Sequence, residues 1–355
     1  MDVEQVTENS SSTKVWRKPS KFERCQTKNM TFDVCPVDVG NLDHLTPLME
    51  ACFGEKVPDG YFDWKYLQNP AGKLRAFEAY DGEKLVGFYG VIPDLYLING
   101  TAFPVYQAMD LMTHPDYQRK GLFSLLGQKT YDSINEEDGK IAVIGVPNYH
   151  ILPGHIYKLN SKNVHSFPYV FAHRSTFVPF GLLAPSVELE PVVRANAEMD
   201  SYFLNRQGSQ LKVQPAYSSA FIQWRILDNP KHDFKLRAIR KNGKLLGYCA
   251  YEMTDGNRLK IMWMDFQEYD SCGSLVRSVI KELFKATKAT FIYTWEPSES
   301  KMRSAYRKAG FIKNPLKSGP FSHRVPFIVY AVDPTICGLN WFDFSQFDLQ
   351  PIIQD

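Results

Sequence analysis

The chain repeats itself, and this constrains its fold more than any other feature. The stretch YFDWKYLQNP at residues 61–70 returns as FIQWRILDNP at residues 221–230, with Trp64, Leu67, Asn69 and Pro70 recurring as Trp224, Leu227, Asn229 and Pro230. The same spacing lays KLVGFYG (84–90) onto KLLGYCA (244–250). Two matches in one register imply two related domains, and 355 residues are enough for two cores. The reading is a mobile N-terminal tail at 1–30, a first domain at 31–175 and a connector rich in Pro, Ala and Glu at 176–194. A second domain follows at 195–335, then a C-terminal tail at 336–355.

Each repeat predicts the same order of elements. A Trp-bearing helix ends before Asn-Pro, because proline disfavours helix in the residue before it. Two alternating strands follow, joined at Asp81-Gly82 in one repeat and Asn242-Gly243 in the other, both hairpin turn signals. Next come a strand (105–112, matched by 259–266), a helix (122–135, matched by 274–288) and a buried strand (140–146, matched by 290–295). A closing helix and strand complete each unit. Antiparallel strands leading into strand–helix–strand predict an α/β fold with a mixed sheet.

Composition narrows the function. Lys and Arg total 41 against 39 Asp and Glu, so the basic excess of a general nucleic-acid binder is missing. No apolar run approaches the roughly 20 residues of a membrane span. The first 26 residues are polar, without the apolar core of a secretion signal, so a cytoplasmic protein is expected. The six cysteines are scattered without zinc spacing and read as reduced thiols; no metal site is expected.

The stretch THPDYQRKGLFSLL (113–126) places a basic loop with one glycine between a strand and a helix. The first turn of a helix leaves about four N–H groups unpaired, and their dipoles favour an anion. Gly121 permits close backbone approach, and Arg119 and Lys120 add positive charge. A pyrophosphate or similar anion is implied; the alternative is a basic turn that binds nothing.

This stretch resembles the acetyl-CoA signature of the GCN5-related N-acetyltransferases (GNAT), which follows a strand ending in His-Pro and reads Gln/Arg-x-x-Gly-x-Gly/Ala. Here it is Gln118, Arg119, Lys120, Gly121, Leu122, Phe123, with Phe123 departing from the small final residue. AYRKAGF (305–311) resembles the superfamily's closing helix motif. The corresponding second-half loop, QEYDSCGSL, carries two acids and no base, so one working site is expected, in the first domain. GVPN, LPGHIYKLN and the tail LNWFDFSQFDLQP are similar to segments of GNAT proteins encoded with polysaccharide enzymes. The layout of two tandem GNAT-like domains resembles the dual-GNAT nucleotide-sugar N-acyltransferases of the FdhC type.

That resemblance implies acyl transfer from acetyl-CoA or 3-hydroxybutanoyl-CoA to the amine of a nucleotide-linked dideoxy amino sugar, by direct attack. The backbone of Arg119, Lys120, Gly121, Leu122 and Phe123 would hold the pyrophosphate. The N–H groups of Leu111, Met112 and Thr113 would face the thioester carbonyl, and Asn148 would bond the pantetheine arm or cap a strand end.

Asp110 is the first candidate for the base; the alternative is a carboxylate satisfied by its neighbours. His114 has a suitable ordinary pKa, His155 after LPG is a candidate to meet the sugar or the amine, and Tyr157 is the nearest phenol for protonating the departing thiolate. Gln107 stands where some relatives carry a glutamate base, and it cannot take a proton. Trp64 and Trp224 read as core rather than stacking platforms, Tyr306 as core or acceptor-facing, and Arg225 as a surface ion pair rather than a diphosphate contact. Two other readings stay open: a different amine acceptor, or an acyl-CoA sensor without turnover.

Overall fold

The computed structural model describes residues 18–354, apart from 29, 41, 140–141, 178–183, 206–210, 269–271 and 317. The first half opens with β1 (Glu23–Thr27), β2 (Met30–Pro36), α1 (Thr46–Phe53) and α2 (Tyr61–Leu67). It continues through β3 (Arg75–Asp81), β4 (Lys84–Ile98), β5 (Thr101–Thr113), α3 (Leu122–Asp138), β6 (Ala142–Gly145), α4 (Leu152–Lys158) and β7 (Lys162–His173). The second half has β8 (Glu188–Val192), α5 (Ala197–Asn205), β9 (Val213–Pro215), α6 (Ser219–Ile222), β10 (Lys235–Lys241), β11 (Lys244–Thr254) and β12 (Arg258–Phe266). It ends with α7 (Cys272–Ala286), β13 (Phe291–Trp295), α8 (Ser300–Lys308), β14 (Ile312–Lys313) and β15 (Arg324–Ala331).

The expected mixed α/β architecture is present. The strands run β1-β2-β3-β4-β5-β6-β15-β7-β13-β12-β11-β10-β8, with β14 on β7 and β9 on β4. Read outward from the β15–β7 pair, the order is symmetric: β6, β5, β4, β3 and β2 on one side match β13, β12, β11, β10 and β8 on the other. Each half holds one parallel pair, β5 with β6 and β12 with β13; its other neighbours are antiparallel.

The domain boundaries differ from the sequence reading in one instructive way. The closing strands are exchanged. β7 follows the first half in sequence but completes the second half by pairing β13, while β15 returns to pair β6. The two then pair with each other, from Arg324↔Pro168 to Val329↔Lys162. A buried strand must satisfy its N–H and C=O groups somewhere, and local sequence does not say which half supplies the partner.

Three termini of the reading are also corrected. Glu23–Thr27, assigned to a mobile tail, is β1, paired along its length with β2; residues 1–17 of that tail lie outside the described residues. Glu188–Val192, assigned to the connector, is β8 on β10. The C-terminal segment is core: Trp341, Leu349 and Ile352 are wholly buried.

The repeated tryptophans lock the halves together. Trp64 Nε1 donates to Trp224 O and Trp224 Nε1 donates to Trp64 O, both at 2.8 Å. Their rings stack with centroids 5.6 Å apart. Both are core residues, as expected. Arg225 is not a surface ion pair: it is buried, donating from Nε to Ile352 O at 3.0 Å and from Nη2 to Gln354 O at 2.6 Å.

Exchanged strands and reciprocal Trp bonds predict one cooperative unfolding transition, measured by calorimetry; two resolved transitions would contradict it. Trp64→Ala and Trp224→Ala should each destabilise the whole chain by about 3–5 kcal/mol.

Candidate active site

The fork between β5 and β6 forms the site. Among the described residues their parallel ladder pairs Tyr106↔Val143 and Gln107↔Ile144. Beyond it the strands diverge, and Gln107, Ala108, Met109, Asp110 and Leu111 face Gly145, Val146, Pro147 and Asn148 across a cleft of about 260 Å³. Phe53 of α1 and Ile151 and His155 beside or on α4 complete the walls. Sequence-expected residues Gln107, Asp110, Leu111, Asn148 and His155 therefore meet in one place.

The strand register decides which amides serve the fork. The His114 N–H is taken by Val86 O at 2.9 Å, and Met112 lies opposite Phe88. In an antiparallel ladder, bonding to one neighbour alternates along the strand. The Met112 N–H therefore turns to β4, which corrects its expected role, while those of Leu111 and Thr113 turn the other way. The Thr113 N–H meets the Cys52 thiol on α1, a group that burial pushes up to about 11. Leu111 is left as the amide facing the fork.

Asp110 sits at the irregularity that makes this edge, where the β4–β5 register shifts. Its φ of 46° is left-handed, costly for a residue with a side chain and concentrated at functional sites. Its Oδ2 accepts from Lys65 Nζ at 2.6 Å and from the Tyr66 hydroxyl. Lys65 is fully buried and also donates to Tyr61 OH at 3.1 Å. A proton reaching Oδ2 would displace these donors, so the alternative reading of a satisfied carboxylate fits better than a free base. Sequence reasoning missed Lys65. Its signal was a cation on the apolar helix YFDWKYL, one residue after Trp64, mirrored by Arg225 one residue after Trp224 in FIQWRIL.

His155 is buried, and burial holds its imidazole down at about 4, so it is neutral at neutral pH. Its Nδ1 is buried with no hydrogen-bond partner among the described residues. The ring packs edge-on against Phe123, with centroids 5.2 Å apart. Phe123, where the resemblance expects a small residue, fits because Gly154 faces it: a Cβ there would lie 2.9 Å from the Phe123 ring. Asn148 Oδ1 accepts from the N–H groups of His150 and Ile151 at 3.0 and 3.1 Å, so it shapes the entry to α4 while lining the cleft.

Two candidates are not brought in. Tyr157 is 78% exposed on α4 and is absent from the cleft walls, so it is not placed to protonate a thiolate there. His114 Nδ1 accepts from Asp116 N at 3.3 Å and its ring meets Tyr117 edge-on; it shapes the turn after β5. Tyr306 is core, buried beside Met264.

The loop opens α3. Arg119 and Gly121 adopt left-handed φ values of 61° and 94°, and Gly121 is the N-cap, with no side chain capping the helix. Gln118 and Arg119 are exposed and Lys120 lies over the Tyr117 ring at 4.9 Å. Uncapped N–H groups beside two cations can receive an anion.

Two halves of mixed sheet, each with a forked parallel pair, and an open glycine-led helix beside one fork give the chain the fold of tandem GNAT proteins. Residues 35–158 match the family model for the acetyltransferase (GNAT) domain, which spans both the fork and the loop. Among solved structures, a GCN5-related N-acetyltransferase from Anabaena variabilis is similar at 18% identity and a TM-score of 0.60, over 86% of this chain and 74% of that one. A tandem GNAT protein from the clavulanic acid biosynthesis pathway is 13% identical with a TM-score of 0.54, over 85% of this chain and 99% of that one. Saccharomyces cerevisiae N-myristoyltransferase with bound myristoyl-CoA is 11% identical with a TM-score of 0.56, over 86% of this chain and 84% of that one. No curated protein sequence matches the chain. No helix among the described residues is long and apolar enough to cross a membrane.

Because His155 binds a proton more weakly folded than unfolded, it lowers stability as pH falls from about 6.5 towards about 4 and contributes no slope above that window. His155→Phe should flatten the melting temperature against pH across that window; an unchanged slope would contradict the burial argument. Asp110→Asn should destabilise by about 3–5 kcal/mol by stranding the Lys65 charge. Adding Lys65→Met should recover much of the loss in a denaturant titration.

Proposed function

We propose that the chain is an N-acyltransferase that moves an acetyl or 3-hydroxybutanoyl group from CoA to the amine of a nucleotide-linked dideoxy amino sugar for surface polysaccharide synthesis. The observation that carries the acyl-CoA part is the coincidence of an open fork and an uncapped, glycine-led helix in the first half. The loop backbone from Arg119 to Phe123 would take the pyrophosphate. The Leu111 N–H would donate to the thioester oxygen, where an amide aimed at developing charge has most effect. The amine would attack across the cleft from the side of Asp110 and His155. The neutral His155 imidazole is the cleft group able to accept its proton, directly or through water. The sugar acceptor is supported by the tandem layout and by the GVPN, LPGHIYKLN and C-terminal segments.

A second reading, an acyl-CoA sensor without turnover, is favoured by the Gln107 amide and the engaged Asp110 carboxylate. Release of CoA thiol separates the two. Acetyl-CoA and 3-hydroxybutanoyl-CoA are offered with a panel of nucleotide-linked amino sugars, with polyamines and peptides as controls. The proposal expects turnover with an amino sugar only. CoA binding without release on any amine would replace it with the sensor. Gly121→Val forces a side chain onto a φ of 94° and should lower acetyl-CoA affinity by at least ~10-fold.

A further inference from the structure

The second half has its own fork, and the chain itself occupies it. β12 and β13 pair from Arg258↔Phe291 to Lys260↔Tyr293, the Thr294 hydroxyl donates to Ile261 O at 3.0 Å, and the strands then part. Gly247↔Phe266 and Tyr248↔Asp265 repeat Gly87↔Thr113 and Phe88↔Met112, so Met264 is the counterpart of Leu111. The Gln350 side chain takes both backbone groups of Met264. Its Oε1 accepts the Met264 N–H at 2.9 Å and its Nε2 donates to Met264 O at 3.0 Å. Gln350 is buried, and next to it the Leu349 N–H donates to Ser298 Oγ at 2.8 Å.

The same segment then reaches the first fork. Lys260 is the counterpart of Gln107 by the parallel registers, and the two hold adjacent residues of the segment. Lys260 Nζ donates to Gln354 Oε1 at 3.1 Å, and Gln107 Nε2 donates to Ile353 O. Arg225 clasps Ile352 and Gln354 between them. Gln107 lies at the root of the first cleft, where the β5–β6 ladder ends.

We infer that Gln350 is a built-in amide ligand of the second fork, and that its capture there positions the C-terminal segment behind Gln107, so that the Ile353 carbonyl fixes the side chain that lines the root of the first cleft. Gln350 is thus a positioning residue for acyl-chain selection. The latch stands on hydrogen bonds alone; its effect on acyl chains rests on the acyl-CoA reading of the first fork.

Residue-resolved amide exchange on the wild-type chain tests the latch. The Met264 amide should be protected equally with and without acetyl-CoA, whereas the Leu111 amide should gain protection only when acetyl-CoA is added. Gln350→Ala should speed exchange at Met264. Unprotected Met264 in the wild type, loss of its protection on adding acetyl-CoA, or unchanged exchange in Gln350→Ala would overturn the latch. A Leu111 amide indifferent to acetyl-CoA would instead sink the acyl-CoA reading and leave the latch standing.

The backing of Gln107 is tested by kcat/KM across acyl-CoA donors from two to eight carbons. Gln350→Ala and Gln107→Ala should each shift the short-to-long preference by ~10-fold, and the double variant should shift it no further. A uniform loss across all chain lengths would mark Gln350 as merely structural and overturn this part.

Discussion

Unpaired strand edges govern this structure. Every buried backbone group needs a partner, and the chain satisfies its two inner edges by exchange: β15 closes the first half and β7 the second. The β15–β7 pair then welds both halves into one sheet. Against that background, the two forks are the places where a parallel ladder is abandoned early. One exposes Leu111 to a cleft. The other exposes Met264, and Gln350 closes it with the same two hydrogen bonds a neighbouring strand would make. Equivalent edges thus differ, one opening on a cleft and one closed by the chain's own side chain.

The chemistry of the open fork is set by burial. Lys65 and Asp110 are a cation and an anion taken from water together, with Tyr61 and Tyr66 supplying further hydrogen bonds. Such a pair contributes more to geometry than to stability, and here it fixes Asp110 in a left-handed bulge at the lip of the cleft. His155 is treated differently. It has no counter-charge, so desolvation keeps it neutral. The cleft therefore combines one committed carboxylate with one uncharged imidazole and one amide edge.

Much of this was legible in the residues. The Trp64/Trp224 repeat announced paired halves, hairpin turns placed β3–β4 and β10–β11, and Gly121 marked the opening of α3. The strand exchange was not legible, because neither the half-buried β7 nor the apolar run of β15 carries a pattern that assigns it to one half. Residue chemistry suggested Asp110 and His155, but only the register separated Leu111 from Met112. Tyr157 looked suitable by distance along the chain and faces outward because α4 turns it there. The role of Gln350 depends on a contact with Met264 across 86 positions, beyond any local pattern.

One live fork and one self-occupied fork make a quantitative demand. Titration calorimetry with acetyl-CoA should give one site per chain. Two equivalent sites per chain would contradict the account, because the second could form only where Gln350 already sits.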